Sequence, residues 1–266
     1  MIRVIVCGGC GKMGSQVARL VYRDDNLKLV GIVESPSHPQ KQKDWGITFG
    51  LVNTGIIVQD NLEKIVQDAD QVVEFTNPQA SLQHLEIVAK NKKTMIMGTT
   101  GFSGQEMEKI NLLSKDIPFL FSPNMSLGVN LLFKLVGETA AALSDDYDIE
   151  IIETHHRFKK DAPSGTAKKL AQIVAQNKGV DLDKVAIYGR KGLIGARKRG
   201  EIGIHSIRSG DVTGEHTVLF TTLGERLELT HKAHSRETFA YGTIQAIKFM
   251  QDKSAGFYTM QDVLKI

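Results

Sequence analysis

Several features that define specialised protein classes are scarce in this sequence of 266 residues. Its two cysteines cannot build a disulfide framework in a chain of this length. No apolar run approaches the roughly 18 residues of a membrane-spanning helix. The apolar start, residues 2–6, runs into glycines without a secretory cleavage pattern. We therefore expect a cytoplasmic protein without a membrane partner.

Neither sign of charge is in excess. Lys and Arg number 33 against 30 Asp and Glu, a net charge of +3, which by itself does not indicate nucleic acid as a partner. Five cations fall between 190 and 199, but no aromatic side chains for base stacking lie among them. We interpret this stretch as a mobile, mostly solvated loop within reach of an anionic ligand. The remaining composition is that of an ordinary globular protein with one large or two moderate domains.

Strand and helix patterns alternate through the first half of the chain. The first predicted strand, 2–7, meets a glycine cluster and then a helical pattern that begins at Ser15. Further strands are predicted at 28–33, 71–75, 94–97 and 118–121, with helices near 61–67, 78–91 and 104–115. This alternation predicts an α/β domain with a doubly wound, parallel Rossmann-type sheet.

After Pro123 the pattern changes. A helix is predicted at 126–143, a strand at 147–156, a helix at 165–176, three close strands near 202–208, 212–221 and 225–233, and a final helix at 235–251. Closely spaced strands indicate a second, α+β domain on a mixed or antiparallel sheet. We expect residues 1–125 with 234–266 to form a dinucleotide-binding domain, and 126–233 a substrate-binding and oligomerisation domain.

The glycine cluster lies between the first strand and helix. Gly8, Gly11 and Gly14 give the spacing G-x-x-G-x-x-G, and Glu34 follows the last glycine by 20 residues, at the end of the second strand. Glycines let the backbone approach a pyrophosphate at a helix N-terminus, and such an acidic residue accepts hydrogen bonds from a ribose. The pattern predicts dinucleotide binding; a plain tight turn is the alternative.

Two later loops follow predicted parallel strands. Gly98-Thr99-Thr100 and Ser122-Pro123-Asn124-Met125 lie at carboxyl strand ends, where open sheets bind ligands. We interpret both loops as walls for the nicotinamide half of a cofactor, although ordinary turns use the same residues.

Cys7 and Cys10 form a C-x-x-C pair, a spacing found in redox pairs and in half of a zinc site. No second pair exists, and both residues belong to the glycine motif. We interpret Cys7 as a small buried strand residue and Cys10 as a loop residue, and we expect no metal.

The densest polar segment is 150–167. Strand alternation sends His155 and His156 to opposite faces, which also argues against a shared metal. Lys159 reaches the site of His155 only if the chain bends after the strand. Gly165 and Thr166 open a helix whose N-terminus suits an anion. Imidazole, ammonium and helix N-terminus together suit a carboxylate substrate that needs a proton; a solvated basic loop beside a capped helix is the alternative.

The segment also resembles a known family, the 4-hydroxy-tetrahydrodipicolinate reductases, also called dihydrodipicolinate reductases. Their signature matches here at Glu150, Glu153, His155, Lys159, Asp161 and 163–167. The likeness continues through the glycine motif and through 208–217, 224–233 and 260–264. It thus spans essentially the whole chain.

The resemblance implies that NADH or NADPH reduces a cyclic dicarboxylate, with loss of water, in lysine and diaminopimelate synthesis. It implies that His155 donates and accepts a proton, that Lys159 is a second proton donor, and that His156, Gly165 and Thr166 bind substrate. It also implies a homotetramer. The implied cofactor contacts are Gly8, Gly9, Cys10, Gly11, Lys12, Met13, Gly14, Glu34, Gly98, Thr99, Thr100, Ser122, Pro123, Asn124 and Met125.

One departure from the family concerns the cofactor. Many members have Arg directly after the ribose-binding Glu, whereas this chain has Ser35 and Pro36, which offer no charge to a 2′-phosphate. We expect use of both NADH and NADPH. Two rival functions remain open at this stage: another two-domain dehydrogenase of amino or 2-oxo acids, and a non-catalytic NAD-binding regulator.

Overall fold

The computed structural model describes residues 1–266. The chain forms two compact units, one of residues 1–126 and 239–265, the other of residues 127–238 with the last residue. None of the helices has both the length and the apolar character needed to cross a membrane.

Twelve strands and nine α-helices follow one another along the chain. The first part contains β1 (Ile2–Cys7), α1 (Gly14–Arg23), β2 (Leu27–Val33), α2 (Trp45–Thr48), β3 (Val58–Gln59), β4 (Gln71–Glu74), α3 (Pro78–Lys90), β5 (Thr94–Met97), α4 (Gly104–Leu113) and β6 (Pro118–Phe121). The middle contains α5 (Leu127–Ala142), β7 (Asp148–His155), α6 (Gly165–Lys178), α7 (Leu182–Val185), β8 (Ala186–Tyr188), β9 (Ile202–Arg208), β10 (Gly214–Thr222) and β11 (Glu225–Ala233). The last part contains α8 (Glu237–Phe249), β12 (Gly256–Tyr258) and α9 (Met260–Leu264).

The first unit is built on a seven-stranded sheet in the order β12-β6-β5-β4-β1-β2-β3. All of its pairings are parallel, and β4 is buried along its whole length, as expected for strands covered on both faces. The chain order reverses at β1, which lies between β2 and β4. Open sheets bind ligands at such a reversal, beyond the carboxyl strand ends. The predicted doubly wound Rossmann-type sheet is confirmed.

The second unit contains a five-stranded sheet in the order β11-β10-β7-β9-β8. β10 pairs antiparallel with β7 and β11, whereas β9 pairs parallel with β7 and β8. The sheet is therefore mixed. Along β7, every second residue from Ile149 is buried, and this face packs in one core with α5 and α6.

The sequence patterns misassigned one short helix and missed the shortest helices and strands. The helix expected near 61–67 is instead two 3₁₀ turns, Leu62–Lys64 and Val66–Asp68. Ile65, between them, has φ −125° and ψ −5°, which no α-helix accommodates. The sequence patterns also missed α2, α7, α9, β3, β8 and β12, because elements of two to five residues are too short to show a period.

The predicted final helix corresponds to α8, which returns to the first unit. Gln71 Nε2 on β4 donates to the Ile247 carbonyl at 3.0 Å, and Lys248 forms an ion pair with Asp24 at 2.6 Å. A Cβ on Gly242 would overlap the carbonyl of Met125. The helix backbone therefore lies directly against the end of the 122–125 loop.

Candidate active site

The glycine turn between β1 and α1 has no room for a side chain at Gly8 or Gly14. Gly8 has φ +75°, and a Cβ on it would overlap the carbonyl of Phe75. A Cβ on Gly14 would overlap the carbonyl of Gly8, while Gly11 N donates to that same carbonyl at 2.9 Å. α1 then begins at Gly14 without a side-chain cap. No side chain caps its first N–H groups, and the N–H of Ser15 already donates to the Gly11 carbonyl at 3.0 Å.

Glu34 lies beside this turn. The backbone N–H of Cys10 donates to Glu34 Oε1 at 2.7 Å, which brings the carboxylate to the turn across 24 residues of sequence. Trp45 holds the other side, because its indole N–H donates to the Gly9 carbonyl at 3.1 Å from a fully buried ring. No sequence pattern indicated this role for Trp45.

Hydrogen bonds around the buried carboxylate of Glu74 join the loop after β4 to the loop after β5. Glu74 Oε1, at the end of β4, accepts from Thr76 N and from Ser81 Oγ, both at 3.1 Å. Thr99 Oγ1 accepts from Thr76 N at 3.1 Å and bonds Ser81 Oγ at 2.9 Å. The loop after β4 is thereby tied to the Gly98–Thr100 loop after β5.

The remaining predicted cofactor loop follows β6. Ser122 Oγ donates to the Asn124 carbonyl at 2.7 Å, and Asn124 Oδ1 accepts from Ser126 N at 2.9 Å. Together with the glycine turn and the Gly98–Thr100 loop, it lies at the carboxyl edge of the seven-stranded sheet. Parallel strands thus gather all the predicted cofactor residues at one edge.

The second unit contains a buried imidazole–carboxylate pair. Glu153, which is fully buried, and His155, which is 9% exposed, lie two residues apart on the same face of β7. His155 Nδ1 is hydrogen-bonded to Glu153 Oε2, and Arg208 Nη1 donates to both Glu153 oxygens at 3.0 and 3.1 Å. Burial raises the pKa of Glu153, but hydrogen bonds from His155, Ser206 and Arg208 outweigh it and hold the pKa at about 2. The carboxylate therefore stays ionised and makes Nδ1 the protonated ring nitrogen.

The other nitrogen of His155 faces a gap left by a glycine. A Cβ on Gly214, at the start of β10, would lie 3.0 Å from His155 Nε2. Because Gly214 has no side chain, Nε2 stays approachable. Nε2 is the ring nitrogen that does not bond Glu153.

The chain bends after His155, as the sequence analysis required. The backbone N–H of Ser209 donates to the His155 carbonyl at 2.8 Å, and that of Lys159 donates to the His156 carbonyl at 3.1 Å. Lys159 Nζ pairs with Asp161 at 2.9 Å, and its side chain is 21% exposed. His156 lies in this bend, and its Nδ1 is buried without a hydrogen-bond partner.

The N-terminus of α6 is joined to the same cluster. Ser164 N donates to Glu153 Oε1 at 3.2 Å, and Ser164 Oγ caps the helix by accepting from Ala167 N. The predicted anion-binding residues, Gly165 and Thr166, form the first turn. A Cβ on Gly165 would meet nothing within 4 Å, so space is open beside it.

His216, to which the sequence analysis assigned no role, also belongs to this cluster. Its Nε2 shares a hydrogen bond of 3.1 Å with Ser164 Oγ, and its ring packs edge-on against His155 at 5.2 Å. Burial, followed by the nearby charge of His155, lowers the pKa of His216 to about 3; the charge of Lys159 contributes as well. Lys159 therefore lies within electrostatic range of His216.

This pKa has a consequence for stability. His216 has an ordinary pKa of 6.5 and one of about 3 in the fold, so the unfolded chain binds the extra proton between those values. The stabilisation is complete above about pH 6.5 and is lost as the pH falls towards 3, by at most about 1.4 kcal/mol per pH unit. We expect urea titrations at pH 7.5 and 5 to show a smaller loss of unfolding free energy for His216→Gln than for the natural chain. The exposed His234→Gln is the control, and equal losses in all three proteins would contradict the assignment.

The basic stretch at 190–199 differs from its prediction. Arg190 donates two hydrogen bonds to Glu150, at 2.9 and 3.0 Å, and Arg197 Nε donates to the same carboxylate at 3.0 Å. Arg190 and Arg197 are therefore paired rather than solvated, because a partly buried carboxylate on β7 binds both, whereas Lys191, Lys198 and Arg199 are exposed as expected. Burial raises the pKa of Glu150, yet these bonds and one from His205 lower it to about 2.

The cysteines form no disulfide. Cys7 is buried, and Cys10 is half-buried in the glycine turn. Burial and the charge of Glu34 raise the pKa of Cys10 to about 12, so its thiol is protonated at neutral pH and a poor nucleophile.

Comparison with protein-family models finds matches over nearly the whole chain. The model described as "Dihydrodipicolinate reductase, N-terminus" matches residues 2–125, and "Dihydrodipicolinate reductase, C-terminus" matches residues 128–264.

Individual relatives agree with the family models. The chain is 48% identical over 264 residues to a 4-hydroxy-tetrahydrodipicolinate reductase of Syntrophus aciditrophicus, covering 99% of this chain and 98% of the relative. It is 42% identical over 264 residues to the enzyme of the same name from Geotalea uraniireducens, with 99% of each covered. Among solved structures, a dipicolinate-bound dihydrodipicolinate reductase from Paenisporosarcina sp. TG-14 superposes with a TM-score of 0.77 at 25% identity, with 98% of each chain covered.

Proposed function

This chain belongs to the dihydrodipicolinate reductase family, and we propose that His155 and Lys159 are the residues that transfer protons in its reductase reaction. The chain is an NAD(P)H-dependent oxidoreductase. It reduces 4-hydroxy-tetrahydrodipicolinate to tetrahydrodipicolinate, with loss of water, in lysine and diaminopimelate biosynthesis. The observation that carries the residue assignment is the buried Glu153 carboxylate, which accepts a hydrogen bond from Nδ1 of His155 while Gly214 leaves Nε2 approachable.

The glycine turn fits a dinucleotide. Its crowded glycines bring the backbone close to a ligand, and the uncapped N-terminus of α1 offers N–H groups to a pyrophosphate. The Glu34 carboxylate lies beside the turn and suits ribose hydroxyls. When bound, the reduced nicotinamide supplies a hydride to C4 of the substrate ring. The 98–100 and 122–125 loops, at the same sheet edge, are the proposed supports for its nicotinamide half.

The proposed acid–base residues follow from the contacts in the second unit. Loss of the 4-hydroxyl group as water needs a proton on the leaving oxygen. His155 in its imidazolium form donates that proton from Nε2, while Glu153 keeps its bond to Nδ1. Lys159 is the second proton donor, close enough to influence His216 electrostatically. Gly165 and Thr166 are proposed to hold a substrate carboxylate at the N-terminus of α6, with His156 contacting the ring.

One assay tests the proposed function against both rivals. A coupled reaction supplies the condensation product of pyruvate and aspartate semialdehyde, and consumption of NADH and NADPH is followed separately. We expect oxidation of the cofactor that depends on this product. Oxidation with a different carbonyl substrate alone would favour another dehydrogenase, and no oxidation with intact NADH binding would favour a regulator.

Cofactor preference is the next prediction. Ser35 and Pro36 offer no charge to a 2′-phosphate, and of the nearby lysines Lys41 is already paired with Asp60 at 3.2 Å. Only single lysines such as Lys12 and Lys43 remain as point charges, and no guanidinium binds the phosphate in a bidentate way. We expect kcat/KM for NADH and NADPH to agree within about tenfold. A much larger selectivity for NADPH would refute this reading of the loop.

Glu153 provides a test of how His155 is positioned. We expect Glu153→Gln to lower kcat by about 10–100-fold, because the neutral amide no longer favours the proton on Nδ1. The pH profile of kcat should shift as well, which a purely structural defect would not produce. Glu150→Gln is the matched control on the opposite face of β7, where the carboxylate binds Arg190 rather than His155. An unchanged pH profile in Glu153→Gln would contradict the assignment.

We also propose the division of labour between the two units and the state of assembly. The unit of 1–126 and 239–265 is the dinucleotide-binding domain, and that of 127–238 binds substrate and oligomerises. Support for a homotetramer comes from the edge strand β11, where Leu227 is 44% exposed, and from Leu223 in the turn before it, which is fully exposed, since uncovered edge strands invite pairing. We place the enzyme in the cytoplasm, in keeping with its two free cysteines. Sedimentation equilibrium would show a tetramer, and a monomer would refute the assembly.

A further inference from the structure

Three side chains with metal-binding chemistry meet beside the glycine turn. Each of these residues offers one possible ligand atom, and the three atoms lie within 4.8 Å of one another; the residues are Cys10, Glu34 and His38. All three residues are half-buried, so an ion can reach them from solvent. The sequence did not predict this cluster, because its three residues come from two different loops and only neighbouring cysteines and histidines show a ligand spacing.

We propose that this thiol, carboxylate and imidazole form a site for a divalent cation of the zinc class, which excludes the cofactor when bound. Sulfur, oxygen and nitrogen ligands are those that Zn²⁺ takes, and three protein ligands leave a fourth position for water. Bonds of about 2.0–2.3 Å with tetrahedral angles place ligand atoms roughly 3.5 Å apart. The ligand atoms therefore need to approach one another by no more than about 1.3 Å, well within the reach of rotamer adjustment.

The backbone already holds the ligands together. Cys10 N donates to Glu34 Oε1 at 2.7 Å, which keeps the carboxylate beside the thiol. His38 N donates to the Ser35 carbonyl at 2.9 Å, a turn that folds the imidazole back towards Glu34. The site therefore needs little ordering of the chain when an ion binds.

Two features oppose the ion. The first is the thiol proton of Cys10, which has to be released on binding although the pKa of this thiol is about 12. The second is an existing hydrogen bond of His38. Gln40 N donates to His38 Nδ1 at 3.2 Å. An ion on Nδ1 displaces this donor, and an ion on Nε2 moves the ring proton to Nδ1, so the bond is lost in either case. A single neutral hydrogen bond is a small loss beside three metal–ligand bonds.

A second cluster of the same composition serves as a contrast. Cys7, Glu74 and His84 also lie within 4.8 Å of one another, but Cys7 and Glu74 are fully buried. Glu74 Oε2 is already bonded to His84 at 2.7 Å, and Oε1 accepts from Thr76 and Ser81. This carboxylate has its partners and no access for an ion, so we assign it a structural role.

Binding at the first cluster has a functional consequence that rests on the proposed cofactor site. The carboxylate that would coordinate the ion is the one assigned to the adenosine ribose. Ion and cofactor therefore compete, and Zn²⁺ raises the apparent KM for NADH without changing kcat. An ion bound at His155 or His216 would instead lower kcat or compete with the substrate.

Co²⁺ provides a test that does not depend on activity. Added to the metal-free natural chain, it should produce the near-ultraviolet thiolate-to-cobalt charge-transfer band, and Cys10→Ala should abolish that band while Cys7→Ala retains it. Saturating NADH should also remove the band. Absence of the band in the natural chain, its persistence in Cys10→Ala, or its persistence under NADH would overturn the proposal.

His38→Ala separates the metal site from the cofactor site in kinetics. Because His38 is not among the proposed cofactor or catalytic residues, we expect this variant to keep its kcat and its KM for NADH in buffer with a chelator. Its inhibition constant for Zn²⁺ should rise by about tenfold or more, since even outer-shell losses cost about 10–100-fold in metal affinity. Unchanged Zn²⁺ inhibition in His38→Ala would overturn the metal site. Failure of metal-free protein to bind NADH, followed by cofactor fluorescence, would instead refute the proposed function.

Discussion

Replacing His155 by alanine is expected to lower kcat by about 10²–10⁴-fold, the usual loss when a positioned proton-transfer group is removed. The side chain is nearly buried, bonded to Glu153 at Nδ1 and approachable at Nε2 beside Gly214. Bulk water does not replace this side chain, because no bulk water molecule is held at the position of His155 Nε2. The measurement is steady-state kinetics with varied substrate, together with NADH affinity from fluorescence titration. Affinity for NADH should change little, because the glycine turn and Glu34 belong to the other compact unit.

The control for this variant is His205→Ala. His205 belongs to β9 of the same sheet and bonds Glu150 at 2.6 Å, away from Glu153. Its replacement should leave kcat near that of the natural chain. Partial recovery of the His155→Ala variant by added imidazole would show that the missing function is proton transfer. A loss of less than about tenfold in His155→Ala would remove this residue from the proposed mechanism.

Replacing Lys159 by alanine should lower kcat to a similar degree, again about 10²–10⁴-fold. Lys159 is held by Asp161 at 2.9 Å and is only 21% exposed, so its ammonium group is positioned rather than freely mobile. Its charge also acts on His216, which is in ring contact with His155. The loss should appear mainly in kcat. The dependence of kcat on pH should also change, because the variant lacks this second proton donor.

The neighbouring Lys160 is the matched control. It has the same charge in the same loop but is exposed, so Lys160→Ala should change kcat by less than about threefold, as is usual for exposed charges. Equal losses in the two variants would indicate that only net charge matters. If replacing both His155 and Lys159 left biological function intact, a non-catalytic regulator would be favoured.

Much of the fold could be predicted because its longer elements carry local signals. The strand at 2–7, the helix at 78–91 and four of the five strands of the second sheet match the structure to within two residues at each end. The helix near 61–67 failed, since its apolar spacing does not reveal the break at Ile65. The parallel pairing of β9 with β7 was also hidden, because strand direction depends on the path of the connecting chain.

The candidate site shows the same limit. The spacing of the glycines predicted the turn and the role of Glu34, because this motif and the strands and helix around it can be recognised from neighbouring residues. Trp45 and His216 carried no signal, because their roles depend on partners 36 and 52 residues away. Arg190 and Arg197 were misread for the same reason, since nothing near them in sequence shows that Glu150 binds both.

The amino-acid sequence by itself determined the alternation of strands and helices, the glycine turn and the residue types of the acid–base segment, because each depends on neighbours within a few positions. Only the tertiary structure decided which partners those residues meet: Glu153 and Gly214 around His155, Glu150 beneath the basic loop, and Cys10 and His38 beside Glu34. The physical reason is that sheet pairing and burial bring together residues far apart in the chain, and the ionisation of a carboxylate or imidazole depends on those contacts and on exclusion of water.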